Sequence, residues 1–523
     1  METLLPYYEK ELIAIKKGAL AFAERYPRVA AGLRLSSEGS GDPHIERLIQ
    51  SVALLTARVS MRLDDGYAGI AEKLLEAIYP QYSQPYPGCA IARFGSGVEM
   101  RYAASSAPLP VGEKERHCMF KLQGQVDSSS PDVVSAAFHS AGSFRTYTGQ
   151  AYLGPYISVT LSGDAPASLR LFVDGDPSTA AAIKDAFGLG VRAVLVSDPD
   201  RPGYVIDGGA IRSVLFADNE WASLAAITAH PGLSLLRDFF AFPDKFGFFD
   251  VLVPERGGKS VVTRQIHFLL DRGVAVNERP LGGVVAKNLL SRCAPVANTF
   301  KGSGGCSDIN QTRSTYPSVP CDGRGDIIAI STVVAGRFEG EDNVVIPHFF
   351  ALRRCGTHGD GPFWIHVPPV DGTVGGEIMI VDRSYAPMEL MGTVVIESVC
   401  CDGDRPASIV CGTPMSDIQD SPSCAKVIGQ LITRPAPVSR FPMGKEATWR
   451  LVSHLALSQT SLLDPAGSVL KELLALYVPL GSVLGEQITR AIVSVQHKPV
   501  SRWLPGSTPP ALARGTEIQL GID

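Results

Sequence analysis

The residues in this chain best suited to chemistry are cysteines and a histidine. Cys293, Cys306, Cys321, Cys355 and His358 fall in one stretch, and an adjacent pair, Cys400 and Cys401, follows. Thiolates and imidazole are the ligands of structural zinc, which normally takes them in tight pairs two to four residues apart. Only Cys355 and His358 have that spacing. Neighbours such as Cys400 and Cys401 point to opposite faces of a strand, a poor geometry for one shared ion. The pattern therefore reads as buried thiols and a loop histidine. A metal-binding or hydrolytic multidomain enzyme built on this Cys/His-rich middle is the alternative.

Other motifs carry less. Gly302-Ser303-Gly304-Gly305 is glycine-rich but lacks the Lys followed by Ser or Thr that completes a phosphate-cradling loop. Neither a Gly-x-Ser-x-Gly elbow nor a His-Glu-x-x-His helix occurs. The acidic pairs Asp64-Asp65, Asp174/Asp176 and Glu341-Asp342 lie beside expected turns, where Asp commonly bonds its own backbone. His44 at a helix start and His454 within a helix have no sequence-adjacent nucleophile or acid. The expectation is no catalytic residue, no metal ligand and no cofactor.

Composition bounds the elements behind these residues. At 523 residues the chain exceeds what one core organises, so two to four domains are expected. A net charge of -5 is close to neutral for this size, and the 48 Lys and Arg residues are scattered, so nothing calls for nucleic acid as a partner. Met1 to Lys17 alternates apolar and charged residues, unlike a secretory leader, and no run of 18 apolar residues exists to span a membrane. The ten cysteines then read as reduced cytosolic thiols. The 52 glycines and 38 prolines are spread along the chain, as many turns between short strands require.

Periodicity divides the chain. Residues 2–30 form an amphipathic helix that ends near Pro27, with Tyr8, Leu12, Ile15, Ala19, Phe22 and Tyr26 on one stripe at spacings of four and three. Asp42-Pro43-His44 starts a second helix, whose apolar face runs through Ile45, Leu48, Ile49, Val52, Leu55, Val59 and Leu63. Asp64-Asp65-Gly66 is expected to interrupt it before a third helix at 67–78. From Cys89 strands dominate, at 90–94, 157–161, 169–173, 191–196, 261–269, 327–334, 376–381 and 392–396. Helices are expected at 178–187, 233–240, 448–457 and 469–476. The fold class is α+β: helical assembly region 1–88, β-rich domain 89–230, central β-rich domains 231–440 and a mixed helix/strand region 441–523.

Two features suit assembly. The first helix has a coiled-coil spacing that serves either its own domain or an intersubunit bundle. Residues 239–249 hold six phenylalanines, among them Phe239, Phe240, Phe242 and Phe246. Such density suits a core or a dry, permanent interface. These phenylalanines and the stripe from Tyr8 to Tyr26 are the candidate interface residues.

Several segments in order resemble one family. They are Tyr7-Tyr8-Glu9-Lys10-Glu11-Leu12 and Phe22-Ala23-Glu24-Arg25-Tyr26-Pro27, then Asp42 to Ile49, Leu54 to Arg58, Leu63-Asp64-Asp65 and Leu74 to Pro80. Leu169 to Asp176, Leu235 to Phe246, Cys293 to Phe300 and Trp449 to Leu457 continue the series. Together they resemble the TssF family (VasA, ImpG) of type VI secretion baseplate subunits. The family's Phe-Arg-Thr strand is matched only loosely, by Phe120-Lys121, and its Cys-Thr-Asn-Arg stretch by Cys401 to Arg405.

The resemblance implies an elongated, multidomain, non-enzymatic wedge scaffold in the cytoplasm. It would assemble with TssG, a second TssF copy, TssE and TssK around the VgrG spike, supporting sheath assembly and contraction and reaching the inner-membrane complex only indirectly. It also implies that region 441–523 stops short of the family's usual end. A scaffold of another phage-tail-like contractile injector is a further alternative.

Overall fold

The computed structural model describes residues 4–32, 35–36, 39–40, 43–96, 104–108, 117–124, 126–145, 151–163, 167–198, 201–207, 210–214, 231–253, 264–271, 278–302, 306–309, 313–318, 325–336, 344–350, 362–367, 376–386, 388, 392–417, 427–441, 449–453, 464–503 and 511–523. The fold is α+β, and the chain divides into two compact units. One is Met1–Ile78 with Met443–Asp464; the other is Tyr79–Pro442 with Pro465–Asp523.

The first unit is helical. Helix α1 (Leu5–Arg25) stops at Tyr26, and Pro27 opens the short α2 (Pro27–Gly32), since proline fits a first helical turn but not a helix interior. Helix α3 (Pro43–Ile78) is a single 36-residue rod. The expected break at Asp64-Asp65-Gly66 is absent, so this acidic pair sits within a helix and not beside a turn. One interior glycine costs a helix only about 1 kcal/mol, which the long flanking stretches offset. Glu11 of α1 accepts from Ser60 of α3, and Lys16 pairs with Glu46, so the two helices pack antiparallel. A helical turn at 449–453, with Leu451 buried, also belongs to this unit and lies within the helix expected at 448–457.

The second unit is built from antiparallel sheets. A five-stranded sheet runs Arg201–Asp207, Val191–Asp198, Arg264–Leu270, Ala151–Leu161, Val133–Arg145. A four-stranded sheet runs Ile211–Ser213, Phe248–Leu252, Ser168–Val173, Leu289–Leu290. Alternate residues of both, among them Ile157, Val159, Val194, Phe268, Leu169, Leu171 and Phe249, share one core, as period-two strands facing each other must. Helix α4 (Pro177–Asp185) adds Ala182 and Ile183 to that core, and the π-helical turn Ala186–Gly190 adds Phe187. Asp176 caps α4 by accepting from the Thr179 backbone N–H at 3.0 Å and the Ser178 hydroxyl at 2.7 Å.

Six further strands close a barrel in the order Cys293–Ala297, Cys89–Phe94, Val427–Leu431, Pro414–Asp417, Ala104–Pro108, His117–Leu122. Its interior holds Ala90, Ala92, Phe94, Cys118, Phe120 and Met415. Closure leaves no free edge. Strand Gly392–Cys401 pairs with Asp326–Gly336, Phe300–Gly302 and Cys306–Ile309, and a three-stranded sheet of Tyr316–Ser318, Gly376–Val381 and Phe363–Val367 shares its core.

Helix α5 (Pro231–Ala241) precedes the strand Phe248–Leu252, and after the sheets come α6 (Ser468–Tyr477), α7 (Val483–Ala491) and the ribbon Ile492–Trp503 and Leu512–Ile522. The expected helices at 178–187, 233–240 and 469–476 correspond to α4, α5 and α6. Helix α7 and the ribbon had no counterpart among the expected elements.

Candidate assembly interfaces

Helix α1 contributes no fully buried residue. Its half-buried positions, including Tyr8, Leu12, Ile15 and Ala19, fall on the side from which Glu11 reaches Ser60. Much of the predicted stripe is therefore engaged within the helical unit, and its end, Phe22 and Tyr26, is exposed. Those two rings pack against each other at a 45° tilt, with centroids 5.3 Å apart.

The larger apolar surface lies on α3. Small residues Ala53 and Ala57 are buried, which lets another backbone approach closely. On a different face, Leu48, Val52, Leu55, Val59 and Leu63 are all exposed, at 45–65%. Their spacings of four, three, four and four put them on one line along the rod. The sequence pattern contains this row, but it also contains Ile49, and periodicity alone did not separate a covered side from an open one.

The phenylalanine segment divides as well. Phe240, Phe242, Phe248 and Phe249 are buried, Phe246 is half-buried and Phe239 is exposed. Phe239 packs edge-on against both Phe240 and Phe246. Beneath them lies a charged knot. Lys245 donates to Asp238, Tyr86 donates its hydroxyl hydrogen to the same carboxylate at 3.1 Å, and the Arg237 guanidinium lies 5.2 Å from the Tyr86 ring centroid and 5.6 Å from that of Phe441. Tyr82 reaches α6, donating to the Leu476 carbonyl at 2.6 Å, and its ring packs against Tyr79, Phe441 and Tyr477. The segment from Leu235 to Phe246 thus pins α5 and α6 to the start of the second unit.

The chemically suggestive residues are placed as follows. Cys293 and Cys401 are buried thiols, each pushed up to about 12 chiefly by burial, so they are protonated near neutrality. Cys400 and Cys401 follow one another on a strand, and the Cys400 sulfur lies 3.3 Å from the Ser398 hydroxyl. Cys321, Cys355, Cys424, His358, His454, Ser303 to Gly305 and Glu341-Asp342 lie outside the described residues, as do the side chains of Cys306, Asp64 and Asp65. Among the described residues, no group of three His, Cys, Asp or Glu side chains converges on a metal-sized point. His44 stands exposed in the first turn of α3. Asp176, from the acidic pair at 174/176, is the α4 cap, its carboxyl lowered to about 2 by the Ser178 and Thr179 hydrogen bonds. No helix among the described residues is long and apolar enough to cross a membrane.

The chain thus combines a helical unit that carries an exposed apolar row with a unit of antiparallel sheets, an α+β multidomain class. The family is specific: over residues 1–523 the chain matches the model of the type VI secretion system TssF family, and it belongs to that family. It is 24% identical over 562 aligned residues to the type VI secretion system component TssF1 of Pseudomonas aeruginosa, covering 99% of this chain and 90% of the relative. Its fold resembles a chain in the cryo-electron-microscopy structure of the type VI secretion TssK-TssF-TssG baseplate subcomplex. There the TM-score is 0.64 and the identity 19%, over 92% of this chain and 89% of that one. A chain in the type VI secretion baseplate complex is similar at a TM-score of 0.54 and 19% identity, over 96% and 88%.

Proposed function

We propose that this chain is a structural subunit of the type VI secretion baseplate wedge, acting by holding partners in place and not by bond-making chemistry. In this reading it works in the cytoplasm with TssG, TssK, TssE and a second copy of itself, around the VgrG spike and beneath the sheath, and meets the inner-membrane complex only through other subunits. The linear division into regions 1–88, 89–230, 231–440 and 441–523 is part of the same reading, with the first as the assembly region.

The observation that carries it is the exposed row Leu48-Val52-Leu55-Val59-Leu63 on α3. Covering such a row with a partner helix removes apolar area from water, worth on the order of 1 kcal/mol for each half-exposed side chain. The family membership and the resemblance to a chain in a TssK-TssF-TssG subcomplex support TssK and TssG as partners. Phe22 and Tyr26 extend the apolar surface of the helical unit, and Phe239 offers a second contact on the β body.

The test is co-expression with TssG and affinity recovery of the pair. Leu55→Asp with Val59→Asp is expected to leave the circular dichroism and thermal midpoint of the chain intact while lowering TssG recovery at least about tenfold. Full recovery by the folded variant would remove the reading. Leu12→Asp with Ile15→Asp, on the covered side of α1, is expected to lower the stability of the helical unit first.

A further inference from the structure

The C-terminal ribbon is a long antiparallel pair with a two-sided character set by its register. Val495 faces Leu520, His497 faces Ile518, Pro499 faces Thr516, Ser501 faces Arg514, and Trp503 faces Leu512, all on one side. The opposite side carries Gln496 across from Gln519 and Lys498 across from Glu517. Glu517 forms ion pairs with Lys498 at 3.1 Å and Arg502 at 3.6 Å, so the one carboxylate in the paired strands is engaged on the polar side.

Only the root of the ribbon is covered. Ile492 and Val495 are buried near the turn before α6, where the Val495 N–H donates to the Pro465 carbonyl at 3.2 Å. Beyond that point Ile518, Leu520, Trp503 and Leu512 are exposed, the last two at 66% and 56%. Among the described residues no third strand pairs with the ribbon. A bare two-stranded ribbon is marginal in water, and an exposed apolar side of this length marks a contact surface.

We infer that this apolar side docks a segment of another baseplate subunit that presents an apolar row interrupted by a carboxylate. Arg514 decides the chemistry of the occupant. It stands on the apolar side between Ile518 and Trp503, and among the described residues no carboxylate pairs with it. Covering that side desolvates the guanidinium, which is costly without a carboxylate to meet it. A second copy of the ribbon would bring another unpaired guanidinium to that side and no carboxylate, since the one carboxylate, Glu517, is engaged on the polar side. A lipid interior offers the guanidinium no partner. A protein segment with an acid among apolar residues satisfies both the row and the charge, in the aromatic-plus-arginine composition common at interface centres.

The inference rests on the reading of the chain as a baseplate subunit. Its test uses the full chain reconstituted with TssG and TssK, with hydrogen exchange followed over residues 492–523. The ribbon amides are expected to exchange fast in the free chain and to be protected in the complex. Arg514→Glu and Ile518→Asp are each expected to abolish that protection and to weaken assembly at least about tenfold, while the exchange of the rest of the free chain is unchanged. Raising salt from about 0.1 to about 0.5 M is expected to weaken the wild-type complex more than the Arg514→Glu one.

Three results would overturn the inference: an assembled complex with unprotected ribbon amides, concentration-dependent self-association that Ile518→Asp abolishes, or protection by anionic phospholipid vesicles but not by the partner proteins. Failure of the wild-type chain to bind TssG and TssK at all would instead overturn the baseplate reading, and the inference with it.

Discussion

Lys245 donates to the carboxylate of Asp238, seven residues earlier, with both side chains only 3% exposed. The turn from α5 through residues 243–247 brings them together, and Tyr86 joins from a distant part of the chain. Breaking a buried pair leaves a charge that water cannot reach, so Lys245→Met is expected to cost about 3 kcal/mol or more. Urea unfolding followed by tryptophan fluorescence measures this. The double change Asp238→Leu with Lys245→Met is expected to recover part of the loss, because it removes the stranded carboxylate.

The phenylalanine segment separates into core and surface by mutation. Phe248 is fully buried, its ring 4.8 Å from that of Phe172, so Phe248→Ala is expected to lose about 3–5 kcal/mol to lost burial and cavity formation. Phe239→Ala, at a partly exposed ring, is expected to cost under about 1.5 kcal/mol. Thermal melts of the two variants give the comparison directly.

Asp176 makes α4 pH-sensitive at its start. Its carboxyl is lowered to about 2 when folded, against about 4 in an unfolded chain, so its contribution is complete above about pH 4. It fades as pH falls through the folded value. Asp176→Ala is expected to lower the melting temperature at pH 7, and the gap to wild type is expected to close as pH approaches 2.

His267 acts in the same direction, over a higher pH window. It lies in the central strand of the five-stranded sheet, its Nε2 3.5 Å from the Ser197 hydroxyl and its ring edge-on to Tyr156. Burial, and secondarily His139, lower it to about 4. Between about pH 6.5 and 4 the unfolded chain binds the extra proton and the folded chain does not, so stability falls across that window and levels below it. His267→Gln is expected to flatten the profile of unfolding free energy against pH over the same range.

Local pattern determined a good deal on its own. The α1 stripe, the stop at Pro27, the Asp176-Pro177 helix start and the strands at 90–94, 169–173, 191–196 and 376–381 follow from side-chain period, capping and turn chemistry acting over a few residues. The ordered motifs from Tyr7 onward also pointed to the TssF family, which the match over the whole chain bears out.

What only the tertiary structure decided is nonlocal. Leu12 and Leu55 belong to equally good amphipathic patterns, yet one lies on the covered side of α1 and the other stands open on α3, because a period names a face and not its neighbour. The barrel joins Cys89–Phe94 to Cys293–Ala297 and Val427–Leu431, pairings across hundreds of residues that no window along the chain contains. Glycine at 66 suggested a break that the helix absorbs, since the cost of one residue is spread over a 36-residue rod. The open sides of α3 and of the ribbon are set by the tertiary fold, because exposure depends on which surfaces the rest of the chain covers.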